Sequence, residues 1–211
     1  MKSYFDQFNK KYLPDNIEVL EQYALDNHVP IIMKDSLMVI LNLLSFIKPT
    51  RILEIGTAIG YSSICMAYST NAIIDTIERD DKMYQLALNN IKNYKLENKI
   101  NVFFDDALQI DLSLLNNYDV IFIDAAKAQN IKFFEKFSPL LRENGIIITD
   151  NLYFHGTITD LDNVSKNVRK MVEKIDVYNH YLAELKDFKT VFLPIGDGIS
   201  ITRRVNHEVN G

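Results

Sequence analysis

Hydrophobic positions recur along this chain with two periods, and the change between them falls at Arg51. Before it the spacing is helical. Tyr4, Phe5, Phe8 and Tyr12 repeat at helical intervals until Pro14 breaks the run. Asp15 or Asn16 caps a second helix carrying Ile17, Leu20, Tyr23 and Ala24 on one face. An extended piece, His28 to Met33, precedes a third helix from Leu37 to Phe46, capped by Asp35 or Ser36 and ended by Lys48-Pro49-Thr50. From Arg51 the pattern becomes strand, helix, strand, helix. Strands are predicted at 51–55, 72–78, 99–104, 118–124 and 145–150, with helices at 60–69, 80–94, 127–142 and a short one near 107–115. A longer helix is expected over 161–185, then two strands between Phe188 and Thr202 joined at Pro194 to Gly198. Near-continuous Ile, Val and Phe strands alternating with helices predict an α/β fold. Its sheet is mostly parallel, seven-stranded and covered on both faces. The final hairpin adds an antiparallel strand, and residues 1–50 form a helical extension before a core over 51–204.

Composition narrows the picture. A chain of 211 residues with 47% apolar content is expected to form one domain with a full core. The net charge of −5 argues against a surface that binds nucleic acid throughout, and leaves room for a local basic patch. The single cysteine, Cys65, excludes an intrachain disulfide, fits a reducing cytoplasm, and sits where a packed helix residue belongs. The N-terminus lacks the apolar run of a signal peptide, and no segment has the length of a membrane span. A cytoplasmic protein is therefore expected.

The candidate chemistry begins where the first strand ends. Gly56 lets the backbone turn and leaves space for a ligand against the main chain. Glu54, Glu78 and the pair Asp105-Asp106 fall at or just beyond the carboxyl ends of three strands, where open α/β sheets bind ligands. Glu78 follows Gly56 at the spacing of a carboxylate that accepts hydrogen bonds from a ribose diol. The turn Gly56-Thr-Ala58-Ile-Gly60 lacks the middle glycine that a dinucleotide's pyrophosphate requires. A crevice ringed by carboxylates suits S-adenosylmethionine, which is cationic and carries no phosphate. Alone, the turn is also compatible with a dinucleotide site or a purely structural bend. Of the acidic pair, Asp106, immediately before Ala107, is favoured at the adenine edge.

A second constellation sits at neighbouring strand ends. Asp124 closes the fourth strand, Asp150-Asn151 the fifth, and Lys127 opens the following helix. Two carboxylates and an amide oxygen are hard ligands suited to Mg²⁺. Either aspartate alone reads more readily as a helix cap, and it is their combination with Lys127 and Asn151 at one sheet edge that points to a metal. Beyond them, Lys166, Lys170 and Lys174 recur along one helix face with Arg169 adjacent, and Arg203 and Arg204 end the last strand. Such stripes take RNA phosphates or simply face water. Tyr61, Tyr153 and Phe154 are candidates to stack on a splayed base. His155, in the same loop, reads as a surface histidine.

Taken together, Glu54-x-Gly56-x-x-x-Gly60-Tyr61-Ser62, Glu78, Asp124-Ala-Ala-Lys127, Asp150-Asn151 and Gly196-Asp-Gly198 resemble the metal-dependent O-methyltransferases of the catechol and caffeoyl-coenzyme A type over roughly residues 30–204. Pro14-Asp15-Asn16, His28-Val-Pro-Ile31 and the helix with Lys174-Ile-Asp176-x-Tyr178-Asn179 are most similar to bacterial tRNA 5-hydroxyuridine methyltransferases. The resemblance implies a Rossmann-like methyltransferase fold that makes 5-methoxyuridine at the tRNA wobble position, with small catechols as the alternative substrates. It implies Asp124, Asp150 and Asn151 as metal ligands and Lys127, with Asp124, as catalytic. It implies Met33, Glu54, Gly56, Ser62, Glu78, Asp106, Ala107 and Asp124 around S-adenosylmethionine. Lys166, Arg169, Lys170 and Arg203 remain candidates for the RNA contact. A homodimer is also implied, with Tyr4, Phe5, Phe8 and Tyr12 as plausible contributors.

Overall fold

The computed structural model describes residues 6–9, 12–154, 156, 158 and 165–205. Tyr4, Phe5 and His155 lie outside them. Seven strands form one sheet: β1 (Arg51–Ile55), β2 (Ile73–Glu78), β3 (Ile100–Phe104), β4 (Tyr118–Ile123), β5 (Leu141–Thr149), β6 (Phe188–Leu193) and β7 (Ile199–Arg204). Their spatial order is β3-β2-β1-β4-β5-β7-β6. The first five run parallel, and β7 pairs antiparallel with both β5 and β6. This is the expected Rossmann-like architecture with its antiparallel hairpin. Chain order reverses between β1 and β4, so a crevice opens beyond the carboxyl ends of those strands.

Strand alternation divides the core in two. Ile52, Ile74, Val120 and Ile148 face helices α2 (Glu18–Asp26), α3 (Lys34–Ile47), α4 (Tyr61–Ser69) and α5 (Asp81–Asn93), meeting Leu20, Leu41, Ile64 and Ile91. Leu53, Ile55, Ile121 and Ile147 face α6 (Asn130–Phe137) and α7 (Lys166–Glu184), meeting Phe133, Phe134, Phe137 and Leu182. Cys65 is fully buried in the first layer, where burial pushes its thiol pKa up. Among the described residues a short helix α1 (Asp6–Asn9) precedes these, with Phe8 and Tyr12 about half exposed. No described helix is long and apolar enough to cross a membrane.

Three predicted elements end differently. The 127–142 helix divides into a 3-10 turn at Lys127–Gln129, α6, and a second 3-10 turn at Ser138–Leu140. Pro139 cannot donate into an α-helical ladder, so the helix stops and β5 starts at Leu141. Near 107–115 only a 3-10 turn forms, Leu112–Leu114, capped by Asp111. The third helix begins at Lys34 with Met33 at its N-cap, and the Ser36 hydroxyl instead donates to the Ile195 carbonyl.

At the opposite end of the sheet, Asp119 ties β1, β4 and β5 together. Its carboxylate accepts from the Thr50 N–H at 2.7 Å, the Arg51 N–H at 3.0 Å and the Arg142 guanidinium at 2.8 Å. Burial would raise its pKa, but these donors outweigh burial and hold it down at about 2. A depressed carboxylate pKa stabilises the fold above the unfolded value near 4, and that contribution is lost as pH falls toward 2. Asp119→Ala is expected to cost about 2 kcal/mol at neutral pH. In urea unfolding, its deficit against wild type should narrow as the buffer is acidified.

Candidate active site

The crevice holds a cavity of about 430 Å³. Its polar lining includes Glu78, Asp105, Asp106, Asp124, Lys127 and Asn151, and its apolar walls include Val29, Pro30, Ile55, Met83 and Phe133. Gly56 forms part of the floor at φ +101°, and a Cβ there would run into the Asp124 carbonyl. The sequence assigns this glycine both to a turn and to ligand space. The structure shows that the approach of the β4 backbone already demands it.

Glu78 is held ready for a ligand by main-chain donors. One of its oxygens accepts from the Ala58 N–H at 2.8 Å, the other from the Arg79 and Asp80 N–H groups at 2.9 and 2.8 Å. Ala58 adopts φ +46° to make its bond, so the position without the middle glycine keeps a left-handed backbone. Asp106 accepts from the Leu108 N–H at 2.8 Å and meets the Arg79 guanidinium at 3.3 Å. Gly56, Glu78, Asp106, Ala107 and Asp124 thus converge on one cavity. Val29, Pro30 and Arg79 also line it, without having been singled out for it. Arg79 had one signal, its position directly after Glu78.

Three expected cofactor residues are not among those that line this cavity. Glu54 shares its strand face with Ile52, so it points toward α4 and is fully buried. There it accepts from the Ser62, Ser63 and Thr76 hydroxyls, two from the start of α4 and one from β2. Burial raises its pKa to about 7, against the lowering effect of the three hydroxyls. Ser62 donates its hydroxyl to Glu54 in this buried cluster and is not among the residues that line the cavity. Met33 is half exposed at the start of α3, near Gly196, outside the cavity lining. Tyr61 is buried and donates to Glu21 at 2.8 Å, which removes it as a stacking platform.

The second constellation does assemble. Asp124 and Asp150 extend β4 and β5, which pair in parallel, and Asp150 donates its N–H to the Ile123 carbonyl at 3.1 Å. Burial raises both carboxyl pKa values above the ordinary range. Lys127 opposes the rise at Asp124, whereas the charges of Asp124 and Asp197 add to it at Asp150. Asp150 is nearly inaccessible, and its Oδ1 is buried with no hydrogen-bond partner. An orphaned carboxylate oxygen of this kind fits a cation ligand. Asn151 lines the cavity beside Asp124, at φ +64°. Among the described residues no three His, Cys, Asp or Glu side chains form a metal-holding cluster.

Lys127 also lines a neighbouring groove of about 740 Å³ between α6 and α7. Lys132, Lys170 and Lys174 line it with Glu135 and Glu173, over an apolar floor that includes Ile131, Met171 and Val177. Lys166 and Arg169 are exposed on α7 outside this lining, and Arg203 is exposed on β7 with its guanidinium on the Arg204 carbonyl. Tyr153 lines a separate, largely apolar cavity of about 390 Å³ against Asn179, Phe192 and Ile199.

Comparison with known proteins supplies the family. A family model described as O-methyltransferase matches residues 11–205. Tapetum-specific methyltransferase 1 of Arabidopsis thaliana is 32% identical over 170 residues, covering 77% of this chain and 73% of that relative. Caffeoyl-CoA O-methyltransferase of Stellaria longipes is 30% identical over 175 residues, covering 77% and 71%. A Staphylococcus aureus structure, provisionally assigned as a caffeoyl-CoA O-methyltransferase, superposes with a TM-score of 0.90 at 40% identity, covering 96% of this chain and 98% of that one. A Bacillus cereus O-methyltransferase in complex with SAH shares the fold, with a TM-score of 0.80 at 24% identity over 96% and 98% of the two chains. With its crevice at the β1–β4 switch point and this match over nearly the whole chain, the protein belongs to the O-methyltransferase family.

Proposed function

We propose that this chain transfers the methyl group of S-adenosyl-L-methionine to a hydroxyl oxygen that a divalent cation, most simply Mg²⁺, holds beside it. The observation that carries the reading is Asp124, which lines the cavity and adjoins the orphaned carboxylate of Asp150. When bound, the two groups supply a methyl on a cationic sulfur and a Lewis acid that favours the acceptor oxyanion. The chain's residues do the rest. Glu78, preset by three N–H donors, accepts hydrogen bonds from the ribose diol. Asp106 and Ala107 border the adenine, and Gly56 and Asp124 lie under the donor end. Asp124, Asp150 and Asn151 hold the cation. Lys127, between cavity and groove, takes the acceptor's proton or offsets the charge its loss leaves. Holding donor and acceptor in line contributes up to ~7–11 kcal/mol in ideal intramolecular cases.

For the acceptor we infer 5-hydroxyuridine at the tRNA wobble position, converted to 5-methoxyuridine. Its O5 and the adjacent C4 carbonyl oxygen form a chelating pair, and the groove lysines beside Lys127 offer sites for loop phosphates. Lys166 and Arg169 extend the same basic surface along α7, whereas Arg203, paired with Ile146, lies toward the opposite end of the sheet. A homodimer belongs to this reading. A small catechol presents an equivalent oxygen pair, and the relatives named for caffeoyl-CoA favour that second reading.

Nucleoside mass spectrometry of tRNA from a strain lacking the gene tests the choice. Loss of 5-methoxyuridine with accumulation of 5-hydroxyuridine is expected. Unchanged tRNA, with catechol turnover by the purified protein, would select the small-molecule acceptor. In vitro, Lys170→Glu with Lys174→Glu should weaken tRNA use about tenfold or more at low salt and leave catechol turnover unaffected. Equal losses on both acceptors would remove the groove from the RNA path.

A further inference from the structure

The turn Gly196-Asp197-Gly198, between β6 and β7, has no part in the mechanism above. It is nonetheless fixed to the loop that carries Asn151. The Leu152 N–H donates to the Gly198 carbonyl at 2.9 Å, and the Tyr153 N–H to the Asp197 carbonyl at 2.7 Å. A Cβ at Gly198 would come within 2.8 Å of the Tyr153 Cβ and 2.9 Å of its nitrogen, so the two backbones lie as close as side-chain-free contact allows. On the far side, the Ser36 hydroxyl on α3 donates to the Ile195 carbonyl at 3.2 Å. The turn is thus anchored from both directions.

Within it, Asp197 is buried at 2% exposure. The Asn151 Nδ2 lies 3.4 Å from an Asp197 carboxylate oxygen and 3.3 Å from the Asp150 Oδ2. Two carboxylates therefore claim the nitrogen edge of this amide. Because the amide is planar, its oxygen occupies the opposite edge, turned away from Asp197. A buried carboxylate whose charge bears on Asp150 is costly without a cation to offset it. Its service is geometric, since a carboxylate accepts only and cannot hold the amide the other way round.

We propose that Asp197 is a positioning residue of the cation site, holding the Asn151 amide with its nitrogen inward so that its oxygen is the edge offered to the ion. The proposal rests on the metal-dependent reading above. Residues that orient metal ligands typically contribute about 10- to 100-fold in metal affinity.

Calorimetric titration with Mn²⁺ of wild type, Asp197→Ala, Asn151→Ala and the double variant tests it without measuring turnover. Asp197→Ala should weaken Mn²⁺ binding about 10- to 100-fold, and the double variant should bind no more weakly than Asn151→Ala alone. Asp197→Asn keeps an acceptor and should restore part of the affinity. It also serves if the alanine variant fails to fold, with its smaller loss again absent from the Asn151→Ala background. Wild-type affinity in Asp197→Ala, or losses that add in the double variant, would overturn the positioning role while leaving the metal site standing. A wild-type protein that binds no Mn²⁺ would overturn both.

Discussion

Asp150→Ala is expected to lower methyl transfer by about 10³-fold, the loss of the several kcal/mol of charge stabilisation that a Lewis acid provides. The cofactor cavity should survive, because Asp124 and Asn151 line it and Asp150 does not. Calorimetry with S-adenosylmethionine should therefore give near wild-type affinity for a variant that barely turns over, even in excess Mg²⁺. Stability should move the other way. Asp150 buries an oxygen without a partner beside the charges of Asp124 and Asp197. At alkaline pH, where this raised carboxyl ionises, removing its charge relieves the metal-free fold. Wild-type turnover that persists in the presence of a chelator would dispose of the metal role outright.

Glu54→Gln is expected to stabilise the protein at alkaline pH and to change little in acid. The Glu54 carboxyl is raised from 4.5 to about 7 by burial. A group raised in this way contributes fully below its unfolded value and loses that contribution as pH climbs through the folded one. At pH 8 the ionised side chain costs about 3 kcal/mol relative to pH 4. A glutamine has no charge to desolvate, and hydroxyls as versatile as those of Ser62, Ser63 and Thr76 can satisfy it. Urea unfolding at pH 5 and pH 8 should show a wild-type decline that is absent from the variant. Parallel profiles would mean that Glu54 does not ionise within this range. The same variant separates two roles for Glu54: a residue that only closes this buried cluster should leave cofactor affinity nearly intact, whereas one that also holds the cofactor should weaken it.

The sheet was legible because its strands are runs of Ile, Val and Phe too apolar for any other place. β1 matches its predicted limits, and β2 and β4 match theirs to within a residue. Helix ends were less legible where local chemistry decides them, as at Pro139. Among candidate site residues, those at strand ends could be placed because parallel pairing puts neighbouring ends side by side. The hydroxyl partners of Glu54 could not be read from its strand position alone. Its direction depends on which face of β1 it shares, and the clue was the Ser62-Ser63 pair opposite. The lysine groove was legible in part. The α7 stripe shows in the sequence, but only packing brings it against Lys132 of α6 and makes Lys170 and Lys174, not Lys166, its lining.

One contact described above reaches beyond the crevice itself. The Asp124 carbonyl rests against Gly56, so in the reaction proposed above the seat of the methyl donor and the anchor of the acceptor would be two faces of one main-chain junction. The stroke of the transfer is then gauged by backbone rather than by side chains. Evolution can recut the acceptor chamber, through the loop after β5 and the face of α7, without resetting that gauge. A change of acceptor in this scaffold is a change of door, with the reaction distance left in the frame.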